Sequence, residues 1–112
     1  DAKKIMKVIK NHSNQYMTIS FDVKKKFINK IPAAIHPFDK TCRPQVVSKK
    51  LNFDYYNLIK EFKKITKMGV LLNTSFNLHG EPIVRTVNDA IRVFDKSDLD
   101  VLWINDHIIE KK

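Results

Sequence analysis

The chain has 112 residues, 43% of them hydrophobic, which suits one small globular domain and excludes a disordered tail. No apolar stretch approaches the length of about 18 residues that a membrane-spanning helix needs, so no membrane partner is expected. The formal charge of +9 favours anionic partners such as phosphates, nucleotides or nucleic acid. Because the lysines are dispersed and no aromatic-and-basic signature accompanies them, we interpret most of this charge as a solvated surface.

The ends and the single cysteine give limited information. The chain starts at Asp1 without an initiator methionine or a signal-peptide pattern, which suggests a fragment or a processed chain. One cysteine, Cys42, allows no internal disulfide, and the cytoplasm is the default compartment. We expect Cys42 to be a small, half-buried filler, because no local base would activate it as a nucleophile.

The first half of the sequence predicts short elements punctuated by prolines. Residues 2–10 predict one or two helical turns, and residues 1–14 as a whole form an N-terminal helix and linker. Before residue 48 we expect a half-buried strand at 15–22, a short helix or turn at 23–29, an extended piece at 33–36, a turn at 37–40 and a strand at 41–47. Pro32 is expected to end the second of these, and Pro44 makes the last an edge or irregular strand.

The clearest predicted helix covers residues 52–68. Its apolar stripe consists of Tyr55, Leu58, Ile59, Phe62 and Ile65. Asn52 or Asp54 can cap its start, and Gly69 fits a helix-ending position. The apolar run at 70–72 predicts a buried strand directly after it.

The last third predicts a helix followed by a hairpin. Thr86 to Asp89 has the spacing of a capping box. The helix that it starts should bury one face, made of Val87, Ala90, Ile91 and Phe94. An apolar strand at 101–104, a two-residue turn at Asn105-Asp106 and a returning strand at 107–109 complete the pattern.

These elements predict a single domain over 1–112 with its core at 15–109. The fold class is α/β or α+β, with helices packed on a mixed, twisted sheet. The order from 52 to 104 predicts right-handed crossovers onto a sheet, and the hairpin elements add antiparallel edges.

A polar loop follows the predicted strand at 70–72. It is dense in small hydrogen-bonding groups, supplied by Asn73, Thr74, Ser75, Asn77 and the amides around Gly80. A rigid strand that leads into such a loop commonly positions a ligand. The residue types favour equally a turn whose side chains bond only their own backbone.

Arg43 is a cation near the proline-stiffened start of the strand at 41–47. An arginine in that place can bind phosphate oxygens in a bidentate manner. The alternative is a solvated residue that protects an edge strand from pairing.

The segment 71–77, the Gly80-Glu81-Pro82 step, Thr86 and Asp89 together resemble the C-terminal signature of a carbamoyltransferase family. Its members are of the nodulation-protein-U, cephem carbamoyltransferase and tobramycin carbamoyltransferase type. Upstream, the spacing of Thr41, Arg43, Gln45 and Val47 is also similar, and the resemblance covers about 15–109. The chain departs from the pattern in two loops. Its turn at 37–40 is longer and lacks the usual glycine, and Lys67 replaces a helix-ending glycine.

The resemblance implies the distal portion of a YrdC-like domain in a larger enzyme. The other part of that enzyme would be an N-terminal actin-like domain, and a metal is expected only there. ATP and carbamoyl phosphate would be the substrates for a carbamoyl-adenylate, whose carbamoyl group passes to a hydroxyl of a small-molecule acceptor. The 112-residue fragment alone is expected to be inactive.

The resemblance also implies a binding site, although it assigns no catalytic residue. Arg43, Ser75 and Asn73 would bind carbamoyl phosphate or a nucleotide phosphate, which makes Arg43 the expected spatial neighbour of the polar loop. The residues that shape the loop or play a secondary part would be Thr74, Asn77, Gly80 and Glu81. Gly80 would allow a positive φ, and Glu81 would cap or brace the loop, since a carboxylate repels bound phosphate.

Two other functions compete with this one. A nucleic-acid-binding module of the YrdC-like type, acting on tRNA, would use the net positive charge and would bind with a steep salt dependence. A non-catalytic structural or interaction domain would use the polar loop to pack against a partner domain.

Overall fold

The computed structural model of the chain describes residues 1–7 and 14–112. The chain divides into two compact units, Asp1–Leu72 and Asn73–Lys112. Each unit has a hydrophobic cluster of its own. The assignment of 1–112 to a single domain stays a prediction.

Short elements joined by irregular chain make up the first unit. In chain order they are the helix α1 (Ala2–Ile5), the strand β1 (Phe21–Asp22), two 3-10 helices (Lys25–Lys30 and Pro32–Ala34), the strand β2 (Thr41–Cys42) and the helix α2 (Phe53–Thr66). The strands β1 and β2 are antiparallel, with Phe21 opposite Cys42. Met6 forms a further antiparallel bridge to Val23, which ties α1 to the strand pair.

The core of the first unit lies where these distant segments meet. Its buried residues are Ile5, Met6, Phe21 and Val23. Partly buried side chains from the 3-10 helices, including Phe27 and Ile31, pack against them. The cluster therefore depends on contacts between residues that are far apart in the sequence.

Several predicted elements of the first unit are shorter than expected. The strand predicted at 15–22 is wrong except for Phe21–Asp22, and the strand predicted at 41–47 exists only at Thr41–Cys42. The helix predicted at 2–10 ends at Ile5, and positions 8–10 lie outside the described residues. In the described part of the chain, the remaining residues of the two predicted strands form no ladder of hydrogen bonds with neighbouring backbone, and a β-strand requires such a ladder.

The region around Pro32 is also partly different. The first 3-10 helix confirms a short helix after residue 23, and its end at Lys30 agrees with the expectation that Pro32 terminates it. Pro32 begins a second 3-10 helix, so the extended piece predicted at 33–36 is wrong. Proline suits the first position of a helix because its missing N–H has no partner there in any case. The turn at 37–40 is confirmed.

The helix α2 begins and runs as predicted but ends differently. Asn52 caps it, with its Oδ1 accepting a hydrogen bond from the Tyr55 N–H at 3.0 Å. The left-handed residue at its end is Lys67, with φ 63°, so the prediction that Gly69 takes the helix-ending position is wrong. Within this fully described helix no residue is buried, and Ile65 of the apolar stripe is 82% exposed.

The buried strand predicted at 70–72 is wrong. The backbone there belongs to no strand among the described residues, and Leu72 is 60% exposed. The apolar run alone cannot form a strand without a partner ladder. Val70 instead packs against the first unit's cluster.

The second unit consists of the helix α3 (Val87–Lys96), the strand β3 (Val101–Ile104) and the strand β4 (His107–Glu110). The two strands form an antiparallel hairpin in which Ile104 pairs with His107. The predicted two-residue turn at Asn105-Asp106 is confirmed, and Asn105 takes a φ of 50° there. Asparagine tolerates this left-handed conformation better than most residues.

The core of the second unit lies between α3 and the hairpin. Ala90, Phe94 and Leu102 are buried together, with Phe76 and Val84 packed against them. The predicted helix face was therefore correct for Ala90 and Phe94.

The same face was wrong at two positions. Val87 and Ile91 are 56% and 45% exposed. Val93, which the prediction left out, is 1% exposed and is the most deeply buried side chain of the described residues. The buried face of α3 consists of Ala90, Val93 and Phe94, which are spaced i, i+3 and i+4. Compared with the predicted face, it is therefore rotated towards Val93 and away from Val87 and Ile91.

The mixture of helices and strands confirms an α and β fold class. The parallel pairing expected from crossovers is wrong for the described strands, since both strand pairs are antiparallel. The YrdC-like classification stays a prediction. No helix in the described part of the chain is long and apolar enough to span a membrane.

Candidate functional site

Arg43 directly follows the strand β2 in the first unit and is exposed. Its guanidinium makes no hydrogen bond or ion pair with residues 1–7 or 14–112. An exposed arginine without a carboxylate partner keeps its full fork of donors available for an anion.

Beside Arg43 lies a cavity of about 520 Å³, which belongs entirely to the first unit. It is within the range of volumes that small-molecule sites commonly have. Its wall combines one guanidinium, one carboxylate, one imidazole, one thiol, two hydroxyl groups and three apolar side chains; the residues are Ser20, Ala33, Ala34, Ile35, His36, Asp39, Thr41, Cys42 and Arg43. Such a wall can surround a small polar ligand and offer donors to its negative charge.

The turn that borders this cavity is held by its own polar groups. The Asp39 carboxylate accepts hydrogen bonds from the Thr41 N–H at 2.9 Å and from the Thr41 hydroxyl at 2.8 Å. These bonds, with a smaller contribution from His36 at 3.3 Å, lower the pKa of Asp39. Asp39 thus stays ionised and keeps Thr41 and the start of β2 in one arrangement.

Lys40 completes the same turn in an unfavourable conformation. Its φ is 60°, a left-handed value that L-residues other than glycine and asparagine adopt at a cost. The departure noted in the sequence, a turn here without glycine, therefore coincides with a left-handed lysine.

The surroundings of Cys42 disfavour a nucleophilic role. It is half-buried, as predicted, and burial raises the pKa of its thiol. A raised pKa disfavours the thiolate, which is the reactive form.

The polar loop of the second unit is closed by backbone contacts at its neck. The Val84 N–H donates to the Phe76 carbonyl at 3.1 Å. Inside the loop, the Glu81 N–H donates to the Leu78 carbonyl at 3.0 Å, and Gly80 in this turn has φ 81°. A positive φ at the third residue is characteristic of a type II turn and favours glycine.

Asn77 fastens the interior of the loop. Its Nδ2 donates to the carbonyls of Leu78 and Glu81, both at 2.9 Å. The side chain is therefore committed to the backbone of its own loop, which is the arrangement that a loop-shaping role requires.

Glu81 connects the loop to the helix α3. Its carboxylate accepts two hydrogen bonds from the Arg92 guanidinium, at 3.1 Å and 2.6 Å. This pair lowers the pKa of Glu81 and raises that of Arg92. A bracing role for this glutamate was predictable from the sequence, but Arg92 as its partner was not, because only the tertiary structure brings the two side chains together.

The remaining residues of the predicted site lie at the loop's entrance. Asn73, Thr74 and Ser75 are all exposed. They belong to the second unit, whereas Arg43 belongs to the first. The expected proximity of Arg43 to the loop therefore stays a prediction.

Sequence reasoning missed one further cation near the loop, Arg85. It is exposed and directly follows Val84, the residue that closes the neck. Its side chain makes no hydrogen bond or ion pair within the described residues. The scarcity of arginine is a sequence signal that could have identified Arg85, since the chain has only three arginines among 21 lysines and arginines. The described residues contain no group of three or more histidine, cysteine, aspartate or glutamate side chains placed to hold a metal ion.

Comparison with known proteins decides the family. The model of the family described as carbamoyltransferase C-terminus matches residues 1–111. This chain belongs to that family. The resemblance found in the sequence is thereby confirmed.

Similar proteins come from archaea and bacteria. An uncharacterized protein of Methanocaldococcus jannaschii is 46% identical over 103 residues, which cover 92% of this chain and 17% of that protein. Nodulation protein NolO of Bradyrhizobium diazoefficiens is 47% identical over 79 residues, covering 70% of this chain and 14% of NolO. Nodulation protein NolNO of Sinorhizobium fredii is 39% identical over 97 residues, covering 87% of this chain and 14% of NolNO.

The carbamoyltransferase C-terminal chain thus spans about a sixth of the length of these curated relatives.

Proposed function

We propose that this carbamoyltransferase C-terminal chain contributes part of the site for carbamoyl phosphate and ATP in an O-carbamoyltransferase. The observation that carries the proposal is the exposed guanidinium of Arg43, which has no partner among the described residues and lines a cavity of about 520 Å³. A bidentate contact from arginine to phosphate oxygens is both strong and geometrically specific.

The cavity wall supplies a setting for this contact. The hydroxyl of Ser20 can donate to a further oxygen of an anion, and the alanines leave room beside it. The Asp39 carboxylate already accepts two hydrogen bonds at Oδ1, from the Thr41 N–H and the Thr41 hydroxyl. Its negative charge is therefore partly compensated, which reduces its repulsion of a bound phosphate.

The loop of the second unit would also contact the substrates. Ser75 would donate its hydroxyl to the anion, and Asn73 would bind a phosphate or carbamoyl oxygen. Asn77, Gly80 and Glu81 would hold the loop in shape, in keeping with their hydrogen bonds and positive φ.

The reaction would proceed through a carbamoyl-adenylate in the complete enzyme. In the final step the acceptor hydroxyl oxygen forms a new bond to the carbamoyl carbon, the bond to the AMP phosphate oxygen breaks, and the hydroxyl loses its proton. An actin-like, metal-binding N-terminal domain of the same protein would hold the acceptor for this step. The enzyme would act in the cytoplasm on a small-molecule hydroxyl acceptor.

The test is ligand titration into the full-length enzyme. Arg43→Ala should weaken binding of carbamoyl phosphate or ATP by at least about tenfold, because a hydrogen bond to a charged group contributes on the order of 1.5–3 kcal/mol. Ser75→Ala should weaken it less, since it removes one neutral hydroxyl. Lys60→Ala, which removes an exposed charge on α2, is the matched control and should change neither affinity.

A further variant separates charge from geometry. Arg43→Lys keeps the positive charge but loses the planar fork, so it should restore only part of the affinity. If Arg43→Ala and Ser75→Ala both bind carbamoyl phosphate and ATP as tightly as the unmodified enzyme and turn over at its rate, the proposed function is wrong.

A further inference from the structure

Asn14 is a buried polar side chain in the first unit, only 6% exposed. Its Nδ2 donates a hydrogen bond to the Pro44 carbonyl at 2.5 Å. Its own backbone carbonyl accepts a hydrogen bond from the Val46 N–H at 2.7 Å. Between these two bonds, Gln45 Nε2 donates to the Gln15 carbonyl at 3.1 Å. All three residues that follow the exposed arginine are therefore tied to positions 14 and 15.

The chain on the other side of Arg43 is anchored as well. Cys42 pairs with Phe21 in the antiparallel β1–β2 ladder. Pro44 has a fixed φ and also keeps the residue before it out of the helical region. Arg43 is thus a single residue between two anchored stretches, while its side chain remains exposed.

The chemistry of Asn14 matches this arrangement better than it matches simple packing. A buried amide needs hydrogen-bond partners, whereas an apolar side chain of similar size would fill the same space without that requirement. The partner that Asn14 finds is the carbonyl of the residue next to Arg43. The Asn14 amide is therefore one of three contacts that fix the chain after Arg43, and the one that lies nearest to it.

We propose that Asn14 is a positioning residue for Arg43. Its amide holds the Pro44 carbonyl, and this keeps the Arg43 guanidinium at the wall of the 520 Å³ cavity, ready for the phosphate of carbamoyl phosphate. Asn14 does not touch the substrate. Its effect on affinity comes from preorganisation, because an arginine whose backbone is already fixed loses less freedom on binding. This inference rests on the proposed function of Arg43.

The first measurement compares affinity with stability. In the full-length enzyme, Asn14→Ala should weaken binding of carbamoyl phosphate about five- to tenfold and should lower the thermal midpoint. Ile5→Val is the matched control, because it removes one methylene from the buried cluster of the same unit and also lowers the midpoint. Ile5→Val should leave the dissociation constant for carbamoyl phosphate unchanged. If a general loosening of the unit were enough to weaken binding, Ile5→Val would weaken it as well.

The second measurement is a double-mutant cycle with Arg43→Ala. If Asn14 acts through Arg43, Asn14→Ala should have no further effect on affinity once Arg43 has been removed. An unchanged affinity in Asn14→Ala, or an equal loss with and without Arg43, would overturn the positioning role. An unchanged affinity in Arg43→Ala itself would instead overturn the proposed function, so the two failures are distinguishable.

A second variant covers the case in which Asn14→Ala does not fold. Asn14→Ser is small and keeps a hydroxyl, but its side chain is too short to reach the Pro44 carbonyl in the same way. It should show the same loss of affinity and the same dependence on Arg43. A folded Asn14→Ser enzyme with unchanged affinity would overturn the inference.

Discussion

The two units of the chain differ in how closely they follow local sequence signals. In the second unit, left-handed backbone occurs at Gly80 and Asn105, two residue types that tolerate it. In the first unit, it occurs at Lys40 and Lys67, where a side chain makes it costly. A segment whose local preferences agree with its fold is easier to specify and to predict than one whose preferences conflict with it.

The same contrast appears in the contacts that build each unit. The hairpin of β3 and β4 and the capping box of α3 join residues close in sequence. The cluster of the first unit joins Ile5 to Phe21, and the β1–β2 ladder joins Phe21 to Cys42. Local contacts can be read from short patterns, whereas distant contacts require the fold.

The largest expected effect concerns the core of the second unit. Leu102→Ala should destabilise that unit by about 3 kcal/mol, because it leaves a cavity beside Ala90 and Phe94. Amide hydrogen exchange of the full-length protein, measured on peptides from each unit, should show protection falling about a hundredfold in the second unit. Similar losses in peptides of the first unit would mean that the two units do not open independently.

A control on the same strand tests whether burial is the cause. Val101 is 49% exposed on the strand that holds Leu102. Val101→Ala should cost less than about 1 kcal/mol, the part that comes from β-propensity. Equal losses for the two variants would contradict the assignment of the core.

A smaller effect, of opposite sign, is expected in the first unit. Lys67→Gly should stabilise α2 by about 0.5–1 kcal/mol, because glycine takes the left-handed helix end without the steric cost of a side chain. The gain should appear as slower exchange of amides in the last turn of α2. Asn105→Gly is the matched change in the second unit and should have a smaller effect, since asparagine already tolerates φ 50°. Faster exchange in Lys67→Gly would contradict the left-handed assignment.

The smallest expected effect is a pH dependence of the second unit. Hydrogen bonds from Thr86 lower the pKa of Asp89, and the contact with Arg92 lowers that of Glu81. A carboxyl with a lowered folded-state pKa contributes stability above its unfolded pKa of about 4, and this contribution is lost as the pH falls through the folded value. Protection in the second unit, corrected for intrinsic exchange, should therefore decline below about pH 4.5.

Neutral replacements show whether these carboxyls are the cause. Asp89→Asn and Glu81→Gln should each flatten the acid-side decline of the second unit, because an amide does not titrate in this range. A decline that is equally steep in both variants would assign the effect to other groups.

Much of the second unit could be predicted because its determinants are neighbours in sequence. The capping box of Thr86 and Asp89, the Asn105 turn and the positive φ of Gly80 followed from residue type and spacing. The pairing of Glu81 with Arg92 could not be predicted in the same way, because it depends on how the loop packs against α3.

The candidate site shows the same division. Arg43 could be singled out by its chemistry and by its position in the motif. The cavity beside it and the hydrogen bond from Asn14 to the Pro44 carbonyl could not be predicted. Both features arise where segments distant in sequence come into contact, and the periodicity of apolar residues along the chain does not predict such contacts. The predicted proximity of Arg43 to Ser75 stays a prediction for the same reason.

The sequence by itself determined the family, the mixed α and β class, the helices at 53–66 and 87–96, the final hairpin and the polar loop with its turn at Gly80. These features depend on caps, turns and periodic side chains that act over a few residues. Only the tertiary structure decided that the apolar run at 70–72 forms no strand, that Val93 is buried in place of Ile91, and that Asn14 holds the chain beside Arg43. Each of those outcomes depends on which partner a segment finds, because burial and strand pairing belong to pairs of segments and not to one segment alone.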